Sequence, residues 1–294
     1  MNDKFFLLQS KSFSCLCICV GILISISGCQ SSSGGGNSPT PNEYDLNRPF
    51  KMELPSNLDE ISGIVFYAKD TSIFAISDES GMLYKVFLHN KKNDQKWKFG
   101  KNDDYEDLQL VDSTFYVLSS SGDIVRIKFD STGSLQVDRF KFPGSGKNEF
   151  ESMFYDKKSS TLNILCKDCE EDKKSSLSLW VFNIKDTSYT LSDHTFDLSS
   201  LATESGSEKV RLKPSAAALN PLTNELFIVS AIHKTLLIAD STGTINHVYQ
   251  LDPSLYKQPE GIAFTPSGDL LISNEAAGSG TATILVCKLK KTIK

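Results

Sequence analysis

The chain is poor in methionine, tryptophan and histidine: four Met, two Trp and four His in 294 residues. It contains no Gly-x-Ser-x-Gly and no His-Glu-x-x-His, which excludes the familiar nucleophile elbow and the helical zinc-protease site. Pro143-Gly144-Ser145-Gly146-Lys147-Asn148 lacks the spacing and the Ser/Thr of a phosphate-binding loop. Positive charge is not in excess either. With 31 Lys and Arg against 36 Asp and Glu, the net charge is −5, so no electrostatic footprint for nucleic acid exists. No apolar run reaches the ~20 residues that a membrane span requires.

What is present begins with an address. Lys4 and Lys11 precede the short apolar stretch of residues 14–24, which is followed by Ser25-Ile26-Ser27-Gly28-Cys29. A basic start, a short apolar core and small residues before a cysteine predict a secretory leader over residues 1–28. The last four residues resemble the bacterial lipobox, so Cys29 is the expected lipidation site and the membrane an expected partner. Gln30 in place of Asp points to the outer membrane of the cell envelope. Residues 29–43 then form the lipidated Cys and a Ser/Gly/Pro-rich tether, too polar for any core. The folded body is expected over residues 44–294.

Seven cysteines reduce to three after the leader and the anchor: Cys166, Cys169 and Cys287. Cys166-Lys167-Asp168-Cys169 has CxxC spacing but no second CxxC or His pair to complete a zinc site. It reads as a small structural disulfide or as two plain thiols.

The body repeats. Ser62, Glu106, Glu151, Ser215 and Glu260 each open a similar β-rich run, at separations of 44, 45, 64 and 45 residues. Each run is followed by a second that ends at Ser77, Ser119, Cys166, Ser230 or Ser273. Third strands follow, and Asp130-Ser131-Thr132-Gly133 and Asp240-Ser241-Thr242-Gly243 mark hairpins into a fourth. Four antiparallel strands every ~45 residues is the signature of a propeller blade. The prediction is an all-β fold: one β-propeller of about five four-stranded blades. Six blades follow if the long step hides another, and a β-sandwich is the alternative architecture. The last repeat lacks a fourth strand, and residues 47–54 resemble one, so the N-terminal segment is expected to close the ring.

The first strand of each blade lines the channel, so equivalent positions converge. Carboxylates at Glu106, Glu151 and Glu260, with Glu60 two residues before Ser62, would repel unless protonated or bridged by a cation. Oxygen donors without His or thiolate favour calcium; blade-to-blade hydrogen bonds are the other use for such groups. Ser62, Ser215, Asp78, Glu79, Asn274 and Glu275 would add a polar binding mouth for a ligand or protein partner not identified by the sequence.

Glu60-Ile61-Ser62-Gly63-Ile64, Asp104-Tyr105-Glu106-Asp107, Asn148-Glu149-Phe150-Glu151-Ser152, Lys213-Pro214-Ser215-Ala216 and Gln258-Pro259-Glu260-Gly261-Ile262 occur in that order. Together they resemble the SdiA-regulated (YjiK-like) β-propeller family over roughly residues 45–290. The resemblance implies a propeller distantly similar to NHL-repeat proteins, with a channel calcium site to which Glu106, Glu151, Glu260 and Glu60 would contribute. It carries no established activity. No catalytic residue is assigned, and a binding or interaction module is favoured over an enzyme. The alternative is a calcium-dependent hydrolase of phosphate esters, which would need Lys or Arg beside the metal. Lys167, Lys213 and Lys234 are the candidates.

Overall fold

The computed structural model describes residues 40–88, 94–170, 172, 176–198, 212–240, 242–278 and 280–290. The leader, Cys29 and the tether as far as residue 39 lie outside them.

Five four-stranded antiparallel sheets are arranged as a five-bladed β-propeller. A first short strand, β1 (Phe50–Glu53), and a 3₁₀ turn at Ser56–Leu58 precede the blades. Blade I comprises β2 (Ile61–Tyr67), β3 (Ser72–Ser77), β4 (Met82–Phe87) and β5 (Gln95–Lys98). Blade II comprises β6 (Tyr105–Val111), β7 (Thr114–Ser119), β8 (Ile124–Phe129) and β9 (Leu135–Phe140). In blade III, β10 (Asn148–Asp156) and β11 (Thr161–Cys169) are followed by β12 (Ser176–Leu177), β13 (Leu179–Asn183), β14 (Tyr189–Leu191) and β15 (Phe196–Asp197). Here β12 and β15 pair with each other as a separate ribbon, so part of the long repeat is an excursion within blade III rather than a sixth blade.

Blade IV comprises β16 (Ala216–Leu219), β17 (Leu226–Ser230), β18 (Thr235–Ala239) and β19 (Ile245–Gln250). Blade V has β20 (Pro259–Phe264), β21 (Leu270–Asn274) and β22 (Thr283–Cys287), and takes β1 as its outer strand. The register runs from Phe50 opposite Val286 to Glu53 opposite Thr283. The expected closure is therefore present. Residues before β1 are pinned over blades IV and V as well. The buried Tyr44 hydroxyl donates to Gly268 O at 2.7 Å and accepts from Asn220 Nδ2 at 3.2 Å. The Tyr256 hydroxyl donates to Leu46 O at 2.9 Å.

Burial follows position within the blade. Second strands such as β3, β17 and β21 are buried at every residue, because both faces meet a neighbouring blade. Outer strands such as β9 and β19 are mostly exposed. Five apolar clusters fill the five blade interfaces. At the channel the inner strands approach so closely that a Cβ at Gly63 would lie 2.3 Å from Leu108 N, and one at Gly261 2.5 Å from Ser62 O. The Asp-Ser/Thr hairpins form as the sequence suggests. Asp130 Oδ1 accepts from Thr132 N and Ser134 N at 2.8 and 2.9 Å, with Gly133 at φ 82°.

Candidate functional site: the carboxylate end of the channel

Four of the five repeat positions share a backbone feature that no residue identity announces. Each of the four interrupts the regular pairing between first and second strand. In β6 the register shifts between Tyr105 and Asp107, in β10 between Phe150 and Ser152, and in β20 between Pro259 and Gly261. Glu106, Glu151 and Glu260 are thus the extra residues of β-bulges, and Ser62 falls in the equivalent break between Ile61 and Ile64. Ser215 sits just before β16, donating its N–H to Val229 O at 2.8 Å. A bulge leaves one residue unpaired and re-aims its side chain, which is how a strand edge directs a carboxylate into a channel.

Once there, the groups separate by role. Ser62 is buried and donates its hydroxyl to Tyr105 O of blade II at 2.8 Å. Ser215 hydrogen-bonds Glu260 and accepts Ala231 N at 3.3 Å. Glu151 forms an ion pair with Lys167, which also meets Glu149 at 2.9 Å. The charge of Lys167 also acts on Glu106 and Glu260. A lysine from the second strand of blade III therefore supplies much of the neutralisation among these glutamates. Burial, with Asp104 and Glu260 adding negative charge, still pushes Glu106 up to about 9. Glu106 accordingly holds a proton at neutral pH and shares a hydrogen bond with Asp104. Burial raises Glu260 too, opposed by Ser215, Lys167 and Lys234.

A second carboxylate group lies beside the first, between blades I and V. Glu60 precedes β2, Asp78 follows β3 and Glu275 follows β21, and one carboxylate oxygen from each lies within 4.8 Å of the others. Asp78 Oδ1 is buried without a hydrogen-bond partner. Glu275 accepts from Gln258 Nε2. Burial and the surrounding acids push Asp78 up to about 6 and Glu275 up to about 8. The donor set is all oxygen, one of those oxygens, Asp78 Oδ1, lacks a partner, and Glu275 holds a proton at neutral pH that a cation would displace: these residues fit a hard divalent ion.

The structure thus brings Glu60 together with Asp78 and Glu275, and gathers Glu106, Glu151 and Glu260 around Lys167. Glu79 is exposed beside Asp78. Asn274 is buried inside blade V, its Nδ2 donating to Thr283 Oγ1 at 3.3 Å. Cys166 and Cys169 form a disulfide with a Cα separation of 5.7 Å. Those two sulfurs and Asp172 also stand close enough for a metal, but the bond leaves no thiolate to bind one. Sequence reasoning passed over Asp107. Fully buried, it accepts Leu108 N and Met153 N at 2.7 Å each and joins blade II to blade III. Burial holds its carboxyl well above the usual range, with both N–H donors opposing. Its place directly after Glu106 was the available signal.

No protein-family model and no curated protein matches the chain. Among solved structures it is similar to glutaminyl cyclase from Myxococcus xanthus, at 15% identity over 83% of this chain and 97% of that one, with a TM-score of 0.55. It is also similar to a luciferin-regenerating enzyme, at 11% identity over 84% and 99%, with a TM-score of 0.52. Identities this low speak for fold alone, and the fold they share with this chain is the β-propeller.

Proposed function

We propose that the chain is a calcium-binding propeller of the cell envelope, lipid-anchored through Cys29 at the outer membrane, that acts as a binding or interaction module. The observation that carries the reading is the oxygen-only group Glu60, Asp78 and Glu275, with Asp78 Oδ1 buried and unpartnered. Calcium there would compensate carboxylates that the fold desolvates. The five-motif resemblance to the SdiA-regulated family supports the same assignment, and Ile26-Ser27-Gly28-Cys29 supports the anchor.

The hydrolase alternative needs cations beside the metal to hold a phosphate. Lys167 meets Glu149 and Glu151, Lys213 lies 3.9 Å from Asp168, and Lys234 donates to Lys257 O. Each is already engaged, which favours binding over phosphate-ester chemistry.

Calorimetric titration with calcium should show one site, and saturation should raise the Tm, since a ligand at 100 times its Kd stabilises by about 2.7 kcal/mol. Asp78→Asn with Glu275→Gln should remove both effects. Absence of calcium binding at millimolar concentration in the wild-type protein overturns the reading. The anchor is tested separately: Cys29→Ala should move the exported protein from the membrane to the soluble fraction.

A further inference from the structure

At one position the five second strands disagree. It is the residue paired with the third after each repeat position: Phe74 opposite Val65, Tyr116 opposite Gln109, Asn163 opposite Phe154, Phe227 opposite Ala218 and Leu271 opposite Ala263. All five are buried, and the four apolar ones fill the interface with the following blade. The ring of Phe74 lies 4.5 Å, centroid to centroid, from Phe115 of blade II, and that of Phe227 lies 5.1 Å from Phe264 of blade V. Between blades III and IV an amide stands where the other blades place an aromatic ring or a leucine.

The exchange leaves room. A cavity of about 460 Å³ lies between those two blades, in the size range of small-molecule sites. Its walls include Leu226 and Leu219, the blade IV equivalents of Phe115 and Phe264, so the residues that receive a ring at other interfaces here line the cavity instead. Its buried side chains are Phe154, Leu179, Phe196, Leu226 and Asn163, and exposed polar residues such as His194 and Asn224 stand at its open rim. Phe196 arrives from the β12–β15 ribbon, which among the described residues belongs to blade III alone.

Asn163 is the one polar side chain of that buried set, and only 8% exposed. Its Nδ2 reaches Thr161 Oγ1 at 3.4 Å, which leaves the carbonyl Oδ1 to accept from an incoming donor. An amide in place of packing surface lowers stability unless something fills the space and bonds the amide. The occupant is therefore specified twice. Three of the four equivalent residues are aromatic, which gives the shape that this kind of interface accepts. Oδ1 accepts and cannot donate, which gives the chemistry. An alkyl chain would leave Oδ1 unpaired, and an anion would set its charge against it.

We propose that this cavity binds a small aromatic compound whose ring carries an O–H or N–H donor. The ring takes the place of the side chain missing at Asn163, and the donor meets Asn163 Oδ1. The site is independent of both the calcium reading and the anchor.

The test uses the full chain carrying Cys29→Ala, so that no lipid or detergent takes up the probes. Three compounds are titrated calorimetrically. p-Cresol has both ring and donor, toluene has the ring alone, and 4-methylcyclohexanol has the donor on a puckered ring. p-Cresol should bind at one site and more tightly than 4-methylcyclohexanol. Asn163→Phe, which restores the residue type of the other blades, should abolish binding and raise the Tm. Asn163→Leu keeps the space without the acceptor, and should lower the affinity for p-cresol relative to toluene about fivefold or more. That second variant decides the matter if Asn163→Phe does not fold. Absence of p-cresol binding at millimolar concentration overturns the proposal. Equal affinity for 4-methylcyclohexanol does so as well, since the site would then not select a flat ring. Binding that survives Asn163→Phe, or a ratio of p-cresol to toluene unchanged by Asn163→Leu, would place the ligand elsewhere and overturn it too.

Discussion

The two ends of the channel are built from the same five strands and differ in almost every other respect. At one end Glu106, Glu151 and Glu260 protrude from β-bulges, flanked by Glu60, Asp78 and Glu275. At the other end the ladders run in register, and Phe66, Leu110, Tyr155, Leu219 and Phe264 form a collar. The bulge is the pivot of the difference. An extra residue frees a side chain from the blade interface and turns it into the channel, where a charge can be hydrated, paired or bridged. A regular strand keeps its side chains against the neighbouring blade, and there apolar groups are favoured. Desolvation then acts on the two ends in opposite directions. It stabilises the collar and raises the carboxyl groups, leaving one end with nothing to protonate and the other with several protons to lose.

The largest effect should come from removing the strand that holds both ends closed. A chain beginning at residue 57 lacks β1 and the contacts of Tyr44 and Leu46, leaving β22 as an open edge. Denaturant unfolding should lose its single cooperative transition. A truncated chain that melts like the parent would show that the ring does not need its seam, and that Glu260 and Phe264 are held by blade V alone.

Next in size is Asp107, which lies between the two ends. Asp107→Leu leaves Leu108 N and Met153 N buried without an acceptor, at a cost of about 2–4 kcal/mol. That corresponds to a fall on the order of 10 °C in Tm. Asp107→Asn, which keeps one acceptor, should lose less. Equal loss in both variants would mean that the negative charge, rather than the hydrogen bonding, is what joins blades II and III.

A smaller effect separates the two ends by pH. Asp78, Glu275 and Glu106 sit at about 6, 8 and 9, above the ordinary carboxylate value near 4. The folded form therefore holds protons that the unfolded chain releases. Their contribution is complete below about pH 4 and is lost as pH rises through those three values. Without metal, Tm should fall from pH 5 to pH 9. Calcium should flatten the slope, and so should Asp78→Asn with Glu275→Gln, which should also raise the metal-free Tm at pH 8. A slope unchanged by that pair would remove these carboxylates as its source.

The last change is at Lys167. Lys167→Met strands Glu149 and Glu151, and because Lys167 and Glu151 are only 18% and 12% exposed the loss should exceed that of a surface pair, at about 2 kcal/mol. The same variant should raise Glu106 further, readable by NMR titration of its carboxyl carbon. A Glu106 titration that does not move would place Lys167 outside the electrostatics of the channel.

The repeat is what the amino-acid sequence determined. Five aligned motifs, their turn residues and a fourth strand supplied from residues 47–54 were all legible, because a blade is a local unit with a short period and closure demands a partner for the last edge. Placement on a ring also told which residues come near the axis. The partnerships there were decided only in three dimensions. Lys167 reaches Glu149 and Glu151 across the bulge, and Glu60 finds Asp78 and Glu275 because blade V folds back onto blade I. Ser62 turns aside to Tyr105 O, and Asp107, one residue from a conspicuous glutamate, joins two blades. Alignment ranks positions by their distance from an axis, but the pairing of charges depends on side-chain direction, burial and neighbours far away in the chain. Those are properties of the closed ring, and no single blade contains them.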